Sequence, residues 1–167
     1  MEYIIDEMQP EDWEQVRQIY EEGLATGQAS FEVDAPDWQQ WDKAHHQHSR
    51  IVVRKQGRVV AWALLAPVSR RDCYAGVAEI SLYVAPGQRG RGMGKHLLMA
   101  LIESSERNGI WSLYGSTFPE NTASIKVQLA CGFRVVGRRE KIACHHGVWR
   151  DTIITERRSK LVGIADK

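Results

Sequence analysis

The run Ala78-Glu79-Ile80-Ser81-Leu82-Tyr83-Val84-Ala85 is stopped by Pro86-Gly87 and followed at once by Gln88-Arg89-Gly90-Arg91-Gly92-Met93-Gly94-Lys95. This stretch constrains the fold more than any other. Its first part alternates, with Ile80, Leu82 and Val84 on one face and Glu79, Ser81 and Tyr83 on the other, the period of a strand. Beyond the glycines, Leu97, Leu98, Leu101 and Ile102 recur as one face of an amphipathic helix, and Asn108-Gly109 offers a left-handed cap. Strand, tight loop and helix therefore follow one another. Glycines at alternate positions leave backbone N–H groups uncovered, and the helix start adds unpaired donors and the positive end of its dipole. Such a loop either cradles a phosphate or pyrophosphate or is a turn that needs positive φ.

Spacing excludes two phosphate loops. G-x-x-x-x-G-K-[ST] fails because Gly94-Lys95 is followed by His96 and the position five before Gly94 is Arg89. G-x-G-x-x-G fails because its last glycine would fall on Lys95 or Leu97. A different cofactor is indicated.

The rest of the chain supplies partners for this unit. Tyr3 to Glu7 reads as a first strand. Trp13, Val16, Ile19, Tyr20 and Leu24 mark a helix after Pro10 that ends near Gly23 or Gly27, and a second helix starts at Pro36 and carries Trp38 and Trp41. Ile51-Val52-Val53 and Val59 to Leu65 flank a Gln56-Gly57 turn and form a hairpin. Ser112 to Phe118 is a strand, Asn121 to Cys131 a helix, and Val135 to Cys144 pairs with Val148 to Arg158; the tail after Arg158 is expected to fray. The order β-α-α-β-β-β-α-β-α-β-β makes an α+β (α/β) domain, its helices grouped around a mixed sheet.

One domain, residues 1–167, is expected from the length. With 22 Lys plus Arg against 21 Asp plus Glu, the chain lacks the basic excess that binding nucleic acid demands. No apolar run approaches the roughly 18 to 20 residues of a membrane span, and the start has no basic segment leading into an apolar one, so a cytoplasmic protein is expected. The three cysteines, Cys73, Cys131 and Cys144, are read as free thiols. Cys144, His145 and His146 would alternate across a strand and could not share an ion without a turn; no metal is expected.

Arg89-Gly90-Arg91-Gly92-Met93-Gly94 resembles the R/Q-x-x-G-x-G/A signature of GNAT-type N-acetyltransferases. Ala78 to Val84, Asn121-Thr122-Ala123-Ser124 and Gly132-Phe133 fall at that family's spacing. With Arg71-Asp72-Cys73-Tyr74 and Gly147-Val148-Trp149-Arg150-Asp151, they resemble its phosphinothricin and methionine-sulfoximine acetyltransferase branch, the likeness running from about Tyr3 to Arg158. The resemblance implies a mostly antiparallel central sheet flanked by helices, acetyl-CoA as co-substrate, a small amino-acid-like amine as acceptor, and a homodimer. It implies that the backbone of Leu82, Tyr83 and Val84 holds the pantetheine arm, with Leu82 N–H on the reaction's oxyanion. Residues Arg89, Gly90, Arg91, Gly92, Met93, Gly94 and Lys95 take the pyrophosphate, and Asn121 and Ser124 complete the cofactor site. Asn121 is equally a helix N-cap.

By the same resemblance Glu79 is the base that takes the amine proton; the alternative is an ion-paired strand glutamate. Ser81 belongs to the acceptor side, as do Phe31 and Tyr74 unless they pack in the core. Arg70 and Arg71 either fork onto an acceptor carboxylate or are solvated loop residues. Seven residues after Asn121, where the family often has Tyr or His, stands Gln128, whose amide cannot act as a general acid. A module that binds CoA without catalysis, and an acetyltransferase for peptide amines, are the competing functions.

Overall fold

The computed structural model describes residues 2–165. Its elements are β1 (Ile4–Glu7), α1 (Trp13–Leu24), α2 (Trp38–Ala44), β2 (Ile51–Lys55), β3 (Arg58–Pro67), β4 (Val77–Val84), α3 (Met93–Arg107), β5 (Ser112–Thr117), α4 (Thr122–Ala130), β6 (Arg134–His145) and β7 (Val148–Arg158). The strands form one sheet in the order β1-β2-β3-β4-β5-β7-β6, antiparallel except where β4 meets β5.

Alternation along the central strands separates two cores. On one face Val52, Trp62 and Leu64 pack against Trp13, Val16 and Ile19 of α1 and Trp41 of α2. On the other, Val53, Ala61, Ala63 and Leu65 meet Leu97, Leu98 and Leu101 of α3, with Ile80, Leu82, Val84 and Val127 of α4 against them. Both faces of the sheet are covered, which is why β3 reads as an unbroken apolar run. Arg54 holds both oxygens of Asp12, at 2.6 and 2.7 Å, and thereby ties β2 to the start of α1.

The expected element order stands, with adjusted ends. Gly23 stays inside α1, because a Cβ there would lie 2.6 Å from the Tyr83 ring; the turn that follows takes Gly27 to φ +68°. α2 begins at Trp38, after Pro36, because Asp37 caps it by accepting from Gln40 N at 2.8 Å. The tail does not fray immediately after Arg158. Its guanidinium donates to the carbonyls of Trp111, Val162 and Gly163, and buried Ser159 donates to Glu106. Of the six tryptophans, Trp13, Trp41 and Trp62 are core residues, whereas Trp149 is 62% exposed.

Candidate active site

β4 and β5 are paired only over Val77–Glu79 against Ser112–Tyr114. Beyond that, β4 continues on β3 to Val84 and β5 continues on β7 to Thr117, so the two strands part and leave a slot. Ala85 N donates to Val60 O, so by the antiparallel alternation Tyr83 and Ser81 also turn their backbone toward β3. Ile80, Leu82 and Val84 then turn theirs into the slot. Of the three residues expected to present backbone there, Leu82 and Val84 do so, although Arg89 Nε already donates to Val84 O at 3.0 Å. Tyr83 instead shares its backbone with Trp62, and its side chain lines the cavity.

At the slot's mouth the loop enters α3 with Gly90 at φ +74° and Gly92, the N-cap, at φ +77°. No side chain caps this helix, and His96 N is the first to bond back, to Gly92 O. The N–H groups of Gly92, Met93, Gly94 and Lys95 are therefore the helix's unpaired donors. A Cβ at Gly90 or Gly92 would meet nothing within 4 Å, so backbone conformation, and not crowding, requires glycine at both.

Loop and slot open into one cavity of about 700 Å³. Glu79 stands in its wall where the strands diverge. Burial pushes its carboxyl above the ordinary range, and the Arg139 cation pulls against that shift. Further along, Phe31 meets Phe118 edge to face at 4.8 Å, and His145 lies 6.1 Å from the Phe31 ring. Arg150 secures this end: its Cζ sits 3.5 Å from the Phe118 centroid, and it donates to Gly27 O and, at 2.7 Å, to Gln28 Oε1. Because Arg150 can only donate, His145 Nδ1, 3.3 Å away, accepts, which leaves that ring neutral with its proton on Nε2. Desolvation, with help from His146 and Arg150, pulls the His145 pKa down in the same direction.

Gln128 is buried in the opposite wall. Thr155 Oγ1 donates to its Oε1, which turns its Nε2 toward Thr117 Oγ1 at 3.0 Å and Ser124 Oγ at 3.1 Å. Both hydroxyls accept from the amide, so their own protons are free to point elsewhere. The network rests on Gly115, where a Cβ would lie 2.5 Å from Thr155 Oγ1 and 2.6 Å from Gln128 Oε1.

Sequence-designated residues divide accordingly. Phe31, Glu79, Ser81, Leu82, Tyr83, Val84, Arg89, Gly90, Gly92, Met93, Gly94, Lys95, Asn121 and Ser124 all line the cavity. Asn121 also caps α4, accepting from Ser124 N, and donates to Gln28 O at 3.3 Å. Arg91, in the glycine loop, is exposed and does not line the cavity; Arg70, Arg71 and Tyr74 are also exposed, lie in the β3–β4 connection and stand outside it, with Arg71 stacked on the Tyr74 ring at 5.5 Å. Thr117, Phe118 and Thr152 line it without having been singled out from the sequence, and His145 and Arg150 stand behind them. Among the described residues no group of three or more His, Cys, Asp or Glu could hold a metal ion.

The model of the acetyltransferase (GNAT) family matches residues 13–133. The phosphinothricin N-acetyltransferase of Alcaligenes faecalis is 29% identical over 158 residues, covering 88% of this chain and 78% of its own. An L-methionine sulfoximine/L-methionine sulfone acetyltransferase of Pseudomonas aeruginosa is 31% identical over 122 residues, 71% of either chain. A solved GNAT superfamily phosphinothricin acetyltransferase from Sinorhizobium meliloti, in complex with AcCoA, shares the fold with a TM-score of 0.88 at 23% identity, covering 99% of this chain and 93% of that one.

Proposed function

We propose that this chain, which belongs to the acetyltransferase (GNAT) family, moves the acetyl group of acetyl-CoA to the amine of a small amino-acid-like substrate of the phosphinothricin or methionine sulfoximine type. One observation carries the reading: a desolvated carboxylate, Glu79, stands where β4 and β5 part, in the same cavity as the uncovered amides that begin α3. The chain's own groups fit acetyl-CoA. The amides of Gly92 to Lys95, with Arg89 and Lys95 nearby, suit a diphosphate, and the unpaired backbone of Ile80 and Leu82 suits an amide-bearing arm laid along β4 as an added strand.

In the reaction Glu79 accepts the proton of the acceptor amine, directly or through water, and its raised pKa makes it a stronger base than an exposed glutamate. Leu82 N–H stabilises the oxyanion formed at the thioester carbon. Ser124 and Thr117, their oxygens occupied by Gln128 Nε2, are oriented to give hydrogen bonds to the departing thiolate. Such a thiolate, from a thiol that titrates near 8.5, leaves without obligatory protonation. Gln128 thus orients donors in place of an acid. Phe31 and Phe118 supply an apolar wall to the cavity that holds the base.

Thiol release followed with a colorimetric reagent over phosphinothricin, methionine sulfoximine, methionine sulfone and ordinary amino acids tests this. Acceleration by at least one is expected. Tight CoA binding without acceleration by any amine would leave a non-catalytic module, and preference for peptides would redirect the reading to protein amines.

The functional unit is proposed to be a homodimer in the cytoplasm. Val136, Ile142, Val148 and Trp149 leave apolar surface exposed on the β6–β7 hairpin, and Cys73, Cys131 and Cys144 are unpaired, as suits a reducing compartment. No helix among the described residues is long and apolar enough to cross a membrane. A mass by light scattering equal to one chain would remove the dimer.

A further inference from the structure

The acceptor end of the cavity contains a hydroxyl with nothing to bond. Thr152 of β7 is 3% exposed and lines the cavity, yet its Oγ1 has no hydrogen-bond partner among the described residues. Burying a hydroxyl this way is unfavourable, because water is removed and nothing replaces it. Close packing alone does not require the oxygen, since valine has the same shape. A hydroxyl kept at such a place is kept for a group that arrives from outside.

The surrounding residues indicate which group. Thr152 pairs directly with Arg139 of β6, so both side chains leave the same face of the sheet, the face that also carries Glu79 and Tyr83. Thr152 lies one residue beyond Ile153, which pairs with the last residue of β5, Thr117, and this sets it beside Phe118 at the open end of the slot. The Arg139 charge acts on the Glu79 carboxylate. This end of the cavity therefore has an anion at Glu79, a neutral donor at Thr152 and a cation beyond it. An α-amino acid carries the complementary series, an amine and a carboxylate two bonds apart. Arg139, like Arg70 and Arg71, is exposed and does not itself line the cavity; what sets it apart from them is its register opposite Thr152 and the action of its charge on Glu79.

Building on the acetyltransferase reading, we propose that Thr152 Oγ1 and the Arg139 guanidinium bind the free α-carboxylate of the acceptor while its amine faces Glu79, making the enzyme selective for α-amino acids over their carboxamides and over simple amines. Thr152 and Arg139 are binding residues in this scheme and take no part in moving the proton.

Matched acceptors test the assignment. Methionine sulfone and its carboxamide share the side chain and the α-amine position and differ in the charge at issue; because the carboxamide's amine is the less basic, kcat/KM is referred to the free-amine fraction of each. The wild-type enzyme is expected to favour the acid in kcat/KM by tenfold or more, the range for a hydrogen bond to a charged group. Arg139→Gln should abolish most of that preference by acting on the acid alone. Thr152→Val should raise KM for the acid about tenfold with KM for acetyl-CoA unchanged, and its melting temperature should equal or exceed that of the wild type, since an unsatisfied hydroxyl has been removed. A lower melting temperature with equal losses on both acceptors would make the hydroxyl structural and overturn the proposal. So would a wild type that acetylates acid and carboxamide equally well. A wild type that acetylates neither, nor any other amine, overturns the acetyltransferase reading itself, a result distinct from either of these.

Discussion

Replacing Gly115 by alanine isolates the wall formed by Gln128. Gly115 has an ordinary strand backbone, so alanine meets no conformational obstacle there and gains slightly in propensity, about 0.5–1 kcal/mol. Its methyl, however, would sit 2.5 Å from Thr155 Oγ1 and 2.6 Å from Gln128 Oε1. Neither atom can retreat easily, because Thr155 has no exposed surface and Gln128 is held by Thr117 and Ser124. Overpacking of this kind costs about 1–3 kcal/mol. Separation of the pair leaves a buried acceptor unsatisfied, at about 1–3 kcal/mol more. With the propensity gain subtracted, the net loss is about 3 kcal/mol. For a chain of this size, at about 2–4 °C per kcal/mol, the melting temperature should fall by roughly 6–12 °C. Thermal unfolding followed by circular dichroism reads this directly. Thr155→Ala, which removes one of the crowded atoms, should recover part of the loss in the double variant. A Gly115→Ala protein that melts within 2 °C of the wild type would refute the packing described around Gln128.

Glu79→Gln should lower kcat/KM by roughly 10²-fold near neutral pH. In the wild type, activity should decline as pH falls through the raised Glu79 pKa, and this acid limb should vanish in the variant; a loss under twofold would put the base elsewhere. A carboxyl whose pKa is raised by folding favours the folded state below its unfolded value, and that contribution is lost as pH rises through the folded one. Glu79→Gln should therefore be more stable than the wild type at neutral pH, with the gap closing toward pH 4, as denaturant titrations at both pH values would show. Gly92→Ala forces an L-residue to φ +77° and should cost about 1–2 kcal/mol of stability and raise KM for acetyl-CoA; unchanged values of both would exclude the loop from cofactor binding. Arg150→Gln releases the Gly27-Gln28 segment and should raise the acceptor KM about tenfold while leaving that for acetyl-CoA within twofold, in steady-state kinetics with each substrate varied.

The parts of this molecule that sequence displays are those set by local chemistry. β4 shows its two faces because Ile80, Leu82 and Val84 pack toward the α3 core while Tyr83 turns to the α1 side, and the glycine loop shows itself because positive φ selects glycine at 90 and 92. Family resemblance alone points to Glu79 as a base; what the fold adds is that burial desolvates its carboxylate. What sequence hid depends on register. Thr152 gains its meaning from standing opposite Arg139 and beside Phe118, and no pattern within β7 alone specifies that alignment. Arg70 and Arg71 precede β4 in the chain, yet the connection that carries them lies outside the cavity. Sequence shows Gln128 only as an amide that cannot act as a general acid; its orientation depends on Thr155 and Gly115, which two separate strands bring to it. Order in the tail is hidden as well, because the acceptors of Arg158 are carbonyls that only the folded chain assembles.

Three residue pairs are all that join β4 to β5, so the sheet consists of two halves hinged at one short seam. A ligand that lies in the gap and bonds to β4 takes the position of an absent strand, and it stitches the halves together from the seam outward. Occupancy should then slow amide exchange in β4 and β5, with the strongest protection beyond Glu79 and Tyr114 where the protein provides no pairing of its own. A cofactor bound there as proposed would be a structural member of the sheet for as long as it stayed.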